Sequence, residues 1–274
     1  MRRETLYGVL LVCALATGAL AQPTVTVSLT SPQGGQVVPP GSTVYWQISF
    51  TVSSGDNEGL ALLSCDLMQD PNNPALLDIP PADGVPTGMA NFSRPDGISN
   101  PGETDPTTGY IGVQRGEPGA MNLIQTGGGQ NTFGEALPPG TGVGENAVVV
   151  GGVGQSGSET LASGSLAAPA ACGAYTFSLA SVVANVLVQR NDPPDFSPVT
   201  EATVDTSGGS LSVTVALIGD TDLDGDVDLS DLAALLANYG EPSGMTWADG
   251  DFDGDGDIDL SDLAALLANY GKSC

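Results

Sequence analysis

Asp224–Gly240 reads DGDVDLSDLAALLANYG and Asp255–Gly271 reads DGDIDLSDLAALLANYG: the same seventeen residues, 31 positions apart, save for Val227 against Ile258. Acidity alone would need neither such fidelity nor an apolar run after the acids. Numbered from Asp220, the first copy places acids at positions 1, 3, 5, 7, 9 and 12: Asp220, Asp222, Asp224, Asp226, Asp228 and Asp231. The second copy, numbered from Asp251, holds Asp251, Asp253, Asp255, Asp257, Asp259 and Asp262 at the same places. Gly225 and Gly256 fall at position 6, Val227 and Ile258 at position 8. This is the spacing of an EF-hand calcium loop. Carboxylates at positions 1, 3 and 5 converge because the chain coils around the ion, and position 6 turns sharply, which glycine allows. Position 7 gives its backbone carbonyl, position 9 acts through water, and position 12 closes the site with two oxygens. Two loops predict two Ca2+ ions.

Each loop runs into a predicted helix. Leu232, Leu235, Leu236 and Tyr239 stand at i, i+3, i+4 and i+7, one apolar face, and Gly240 is a suitable cap. Leu263, Leu266, Leu267 and Tyr270, with Gly271, repeat the pattern. The expectation is two helices packed on each other through Leu235, Leu236, Leu266 and Leu267. A true EF-hand has a helix before the loop as well, whereas Ser210–Leu217 alternates like a strand. Position 12 is also Asp rather than Glu. A solvated acidic tail would need neither the position-6 glycine nor an amphipathic helix. Nine-residue calcium β-roll repeats have another period, and thrombospondin-like aspartate repeats lack the helices.

The other four-fifths of the chain has a different texture. Of 274 residues 38 are Gly and 20 Pro, with aromatics at 5%, a mixture that favours short strands joined by turns. Period-two alternation marks Thr24–Leu29 and Val44–Phe50. Further candidates are residues 60–67, 88–93, 147–150, 160–166, 175–188 (with room for a break), 201–205 and 210–217. About nine such strands predict a β-sandwich over residues 22–217, followed by the small all-α calcium-binding unit at 218–274. Residues 75–144 are rich in Pro, Gly and Asn and read as loops, irregular edge strands or disorder. At the N-terminus Arg2 and Arg3 precede an apolar run, and Ala19-Leu20-Ala21 fits a cleavage site. Residues 1–21 are therefore expected to be an export signal, giving a secreted or cell-surface protein. No later segment is apolar enough to span a membrane.

Charge narrows the partners. The net charge is −26 with no histidine, which excludes nucleic acid as a natural partner and rules out a histidine-based triad or His-ligated metal. Outside the signal the cysteines are Cys65, Cys172 and Cys274; either Cys65 pairs with Cys172 across the sandwich, or all three are unpaired. Gly152–Gly157 matches G-x-G-x-x-G, but no helix pattern follows and no acid lies at the required distance, so it reads as a turn. Asn91-Phe92-Ser93 matches a glycosylation sequon too short to carry an assignment.

Loop-then-helix twice resembles the type I dockerin module, over Gly219 to about Gly271. In that family two calcium ions hold two antiparallel helices with approximate two-fold symmetry, and the module binds a cohesin domain on another protein. Contacts concentrate at loop positions 10 and 11, which here are Leu229 and Ser230, and Leu260 and Ser261. The chain departs from the family's hydroxyl pair there, and from its basic residues at positions 17 and 18, which are Leu236-Ala237 and Leu267-Ala268. The sandwich resembles cohesin-like and carbohydrate-binding sandwiches of secreted bacterial proteins in three stretches: Gly41-Ser42-Thr43-Val44, Gly164-Ser165-Leu166-Ala167 and Gly173-Ala174-Tyr175-Thr176-Phe177. These resemblances imply a calcium-dependent docking protein that anchors a non-catalytic sandwich to a cohesin-bearing scaffold, in polysaccharide binding or catabolism. The competing reading makes the sandwich a glycoside hydrolase or lyase. That chemistry needs two carboxylates at a fixed separation, with Asp56, Glu58, Asp66, Glu103 and Glu201 as candidates.

Overall fold

The computed structural model describes residues 22–77, 110–115, 121–135 and 148–274, the backbone alone being described at 110–115. The export signal, the strand expected at 88–93, the sequon and Glu103 lie outside these residues. The described residues form eleven strands and, at the C-terminal end, two α-helices. One sheet has the order β10 (Thr203–Gly208), β1 (Thr24–Thr30), β3 (Thr43–Val52), β7 (Glu159–Ala167). The other runs β2 (Val37–Val38), β11 (Ser210–Val215), β8 (Gly173–Leu187), β4 (Leu60–Gln69), β6 (Asn122–Gly129), β5 (Tyr110–Arg115), with β9 (Val199–Glu201) also on β8.

Alternation along the strands supplies the core. Val25, Val27 and Leu29 of β1, and Val44, Trp46, Ile48 and Phe50 of β3, point inward from the first sheet. They meet Leu63, Cys65 and Leu67 of β4, Tyr175 and Phe177 of β8, and Leu211, Val213 and Val215 of β11 in one buried cluster. Each such side chain contributes about 1.5–3 kcal/mol by leaving water. The β-sandwich expectation therefore holds.

Several local expectations change. The run at 201–205 is two strands: the chain leaves β8's edge at Glu201, buries Ala202, and joins β1 in the other sheet at Thr203. The predicted strand at 175–188 is unbroken, because one extra residue is absorbed where Ser64 and Asp66 oppose Val183 and Ala180, with Ser181 at φ 52°. Strands β5 and β6 lie inside the stretch read as loops, irregular edge strands or disorder: β5 is an edge strand, whereas β6 is paired on both sides. Its second half is Gly127-Gly128-Gly129, which has no side chains to display a period. The glycines make room for β4: a Cβ on Gly127 or Gly129 would stand 3.0 Å from Ser64 or Leu62, their cross-strand partners. Val148–Val150 are not in a strand, and the glycine motif at 152–157 is a turn, as expected.

Neither expected arrangement of the cysteines, Cys65 paired with Cys172 or all three unpaired, is correct. Cys172, the residue before β8, is bonded to Cys274, 102 positions further along the chain, with Cα atoms 5.7 Å apart. Cys65 is free and buried because the period of β4 aims it into the core. Burial, then the neighbouring Asp66 charge, pushes its thiol up from 9.0 to about 12. A thiol raised on folding contributes stability that is complete below its unfolded value and is lost as pH climbs through the folded one. Stability should therefore fall between pH 9.0 and about 12, with a Cys65 share of at most about 1.4 kcal/mol per pH unit. Denaturant midpoints across that window should decline less steeply for Cys65→Ala; identical slopes would remove Cys65 from the effect.

Candidate functional site

The two repeats fold as a unit of their own beyond β11. Loop 1 (residues 220–231) leads into α1 (Leu229–Asn238), and loop 2 (residues 251–262) into α2 (Leu260–Asn269). No helix precedes loop 1, and loop 2 follows only a short 3-10 turn, Trp247–Asp249. Local chemistry starts each helix. Asp228 caps α1 by accepting from Ser230 N–H at 2.6 Å, while Asp231 accepts from Asp228 N–H at 2.8 Å. Asp259 and Asp262 repeat this reciprocal cap at 2.6 and 2.9 Å.

Position 12 does more than cap. Asp231 is 1% exposed, and its other oxygen accepts from Thr221 N–H at 2.7 Å and Thr221 Oγ1 at 2.9 Å. It thus ties the loop's second residue to its last. Asp262 accepts from Phe252 N–H in the same way, at 2.8 Å. At position 6, Gly225 and Gly256 adopt φ 97° and 90°, the left-handed turn the spacing demands. Their N–H groups donate to Asp220 and Asp251 at 3.1 and 3.0 Å, folding position 1 over the loop.

Among the described residues four carboxylate groups bring oxygens within 4.8 Å of one another: Asp220, Asp222 and Asp231; Asp226, Asp228 and Asp231; Asp251, Asp253 and Asp255; Asp257, Asp259 and Asp262. Every candidate ligand except Asp224 belongs to one of them; Asp224 instead accepts from Asp226 N–H at 3.1 Å. The carboxylates of Asp226 and Asp257, at position 7, are drawn into these groups, although a backbone carbonyl would suffice there.

An orphaned oxygen tests whether a cation fits. Asp220 is 1% exposed, one of its oxygens is occupied by Gly225 N–H, and Oδ1 has no donor at all. Oδ1 of Asp226 and of Asp257 is likewise buried and unpaired. Burial pushes the Asp220 carboxyl up, hydrogen bonds from Gly225 and Leu223 oppose it, and Asp231 and Asp224 add to the rise. Asp224 is the main cause of the rise at Asp226, and burial at Asp257. Buried, mutually repelling carboxylates with spare lone pairs are a donor set for a hard divalent cation of the calcium type. The residues fit such an ion.

Packing places the outward faces. Val227, Leu235, Ile258 and Leu266 are fully buried, with Leu217, Leu232, Met245, Phe252 and Leu263 around them. Leu236, Leu267, Tyr239 and Tyr270 are exposed, so the expected packing through Leu236 and Leu267 is incorrect. The position-8 residues Val227 and Ile258 fill that space instead. The helices also cross the loops more closely than the repeat pattern announced. A Cβ on Gly219 would stand 2.8 Å from Val227 and 3.2 Å from the Leu266 backbone, and one on Gly250 3.0 Å from Leu235. Thus α2 sits on the start of loop 1 and α1 on the start of loop 2. The signal was present: Gly-Asp recurs at 219–220 and 250–251, one residue before each counted loop. Trp247 was also missed. Its Nε1 donates to Asp220 O at 2.7 Å, and its ring meets Phe252 edge-on at 5.2 Å, joining the two repeats. Leu229 and Leu260 are each 67% exposed, beside exposed Ser230 and Ser261. They are not loop-core residues.

The sandwich offers less. Asp56 accepts from Ser53 and Asn57, Glu58 from Arg190 N–H, and Asp66 is buried beside Gln125. Glu201 lies on β9. The shallow groove between Ser31, Tyr45, Gln47 and Ser163 has no carboxylate in its lining. No helix among the described residues is long and apolar enough to cross a membrane.

No protein-family model matches the chain, and no curated protein matches it. Solved structures do. The seventh ScaB type I cohesin from Pseudobacteroides cellulosolvens aligns at a TM-score of 0.40 and 14% identity, over 71% of this chain and 92% of that one. A type I cohesin–dockerin complex from Clostridium thermocellum aligns at 0.38 and 9%, over 71% and 94%. A non-cellulosomal cohesin from the archaeon Archaeoglobus fulgidus aligns at 0.33 and 9%, over 72% and 92%. Likeness of this degree carries no argument about what the chain binds. The β-sandwich rests on its own strand pairing.

Proposed function

We propose that the C-terminal module is a calcium-dependent docking module of the dockerin type, and that it anchors the β-sandwich to a cohesin-bearing scaffold or surface outside the cell, in polysaccharide binding or breakdown. The observation that carries this reading is the buried Asp220 with an unpaired oxygen at position 1 of a loop whose six aspartates and position-6 glycine the chain repeats at the same spacing. Calcium would supply positive charge and fill the spare lone pairs. Positions 1, 3, 5 and 12 would hold it with carboxylates, position 7 through its carbonyl and position 9 through water. Calorimetry on the full chain should give two calcium equivalents; absence of binding heat at millimolar calcium would refute the reading.

Docking would use the exposed copies of one surface: Leu229 and Ser230, Leu260 and Ser261, with the outer flanks of α1 and α2. Their related settings allow either copy to face the partner after a half-turn. Leu229→Asp alone should then change affinity for a cohesin-type domain by less than about threefold. With Leu260→Asp added, binding should disappear while both calcium equivalents remain. Complete loss in either single variant would end the two-pose idea, and normal binding by the double variant would place the face elsewhere.

A further inference from the structure

Residues 272–274 are held from two sides. Along one, they pair with loop 1: Gly271 N–H donates to Val227 O at 2.7 Å, Val227 N–H to Lys272 O at 3.0 Å, and Cys274 N–H to Gly225 O at 2.9 Å, with a bridge between Asp226 and Ser273. The residues they grip are loop positions 6, 7 and 8: the turn glycine Gly225, Asp226, whose carbonyl would face a bound ion, and the buried Val227. On the other side, the Cys274 sulfur is bonded to Cys172 of the sandwich.

Loop 2 has the same backbone pairing without the bond. Gly240 N–H donates to Ile258 O at 2.8 Å, Ile258 N–H to Glu241 O at 3.1 Å, and Met245 N–H to Gly256 O at 3.0 Å. That pairing segment runs from α1 into the 3-10 turn, where Trp247 fixes it on Asp220 O. The segment on loop 1 is tied to the end of α2 by Lys272 Nζ donating to Asn269 Oδ1 at 2.9 Å, but among the described residues it has no counterpart of the Trp247 bond to the other loop. Its anchor is the disulfide.

We propose that the Cys172–Cys274 disulfide is a redox latch on calcium loop 1: closed, it presses residues 272–274 against loop positions 6 to 8 and selectively raises that loop's calcium affinity. The inference rests on the calcium reading above. Opening requires a dithiol reductant. One thiolate of the dithiol attacks a sulfur of the bond, its second thiol closes the reductant's own disulfide, and the two electrons and two protons leave Cys172 and Cys274 as free thiols. Cys274 is exposed and Cys172 half-buried, so the bond is open to attack. Once it is open, residues 272–274 spend part of their time off the loop, and apparent affinity falls by the fraction still paired.

The test isolates each loop in the full-length protein. In an Asp251→Ala background only loop 1 retains its first ligand, and Cys274→Ser or Cys172→Ser should weaken calcium binding about tenfold by calorimetry. In an Asp220→Ala background, which leaves loop 2, the same cysteine changes should have a much smaller effect, passed on only through the pairing between repeats. Linkage adds a readout independent of calorimetry: calcium should make the bond harder to reduce by the same factor, about 30 mV per tenfold in a dithiothreitol equilibrium. Unchanged loop 1 affinity in the serine variants, or equal weakening in both backgrounds, overturns the latch while leaving the calcium sites standing. Failure of the oxidised unmutated chain to bind calcium overturns both.

Discussion

Chelating calcium from the full-length protein is expected to erase the far-ultraviolet signal of α1 and α2 and leave the β-sheet signal in place, with both restored on returning calcium. Fourteen acids lie between Asp220 and Asp262 with no Lys or Arg among them. Without a counter-charge this segment repels itself. Opposing that repulsion are four fully buried aliphatic side chains and a rim of half-buried ones, a core too small to hold residues 218–274 on hydrophobic burial alone. Two divalent ions would bring four positive charges to where the repulsion is greatest, so binding energy becomes folding energy. The sandwich has its own core and contributes none of the carboxylate groups, so its sheet signal should persist. The Cys172–Cys274 bond would keep the unfolded segment tethered. A circular dichroism spectrum unmoved by chelator would reject this coupling.

The second large effect is expected at position 12. Asp231→Ala should remove one of two calcium equivalents and destabilise the calcium-saturated module by about 2–4 kcal/mol, the sum of a lost cap and buried donors left unpaired. Those donors are Thr221 N–H, Thr221 Oγ1 and Asp228 N–H. Asp220→Ala should also remove one equivalent, but it strands only the backbone N–H groups of Gly225 and of exposed Leu223 and breaks no helix cap, so its melting temperature should fall less. Asp262→Ala and Asp251→Ala are the counterparts in loop 2. Each change should also weaken the untouched loop, because Val227 is paired with the segment after α2 and Ile258 with the segment after α1. Two full equivalents in Asp231→Ala would refute the loop register, and independent loops would refute the exchange between repeats.

The module was legible in the sequence because its chemistry is local. A loop of twelve residues contains its candidate ligands, its turn glycine and the N-terminal cap of its helix, so spacing alone places Asp220 to Asp231 and Asp251 to Asp262. The strands that alternate cleanly, β1, β3 and β11, were legible for the same reason: period two is a property of neighbouring residues. Gly127–Gly129 of β6 carry no period, and their strand is defined by Leu62 and Ser64 across the sheet. Helical spacing put Leu235 and Leu236 on one apolar face without saying how much of that face is covered. Gly250 approaches Leu235 and leaves Leu236 in water, a choice made 15 residues away in sequence. The cysteines mark the limit most clearly. Cys65 and Cys172 were the natural pair by position in the chain, yet β4 turns Cys65 into the core, and the pairing of residues 272–274 with loop 1 carries Cys274 to Cys172. Covalent partners are set by where distant backbones meet. One sequence encodes that meeting only through the whole fold.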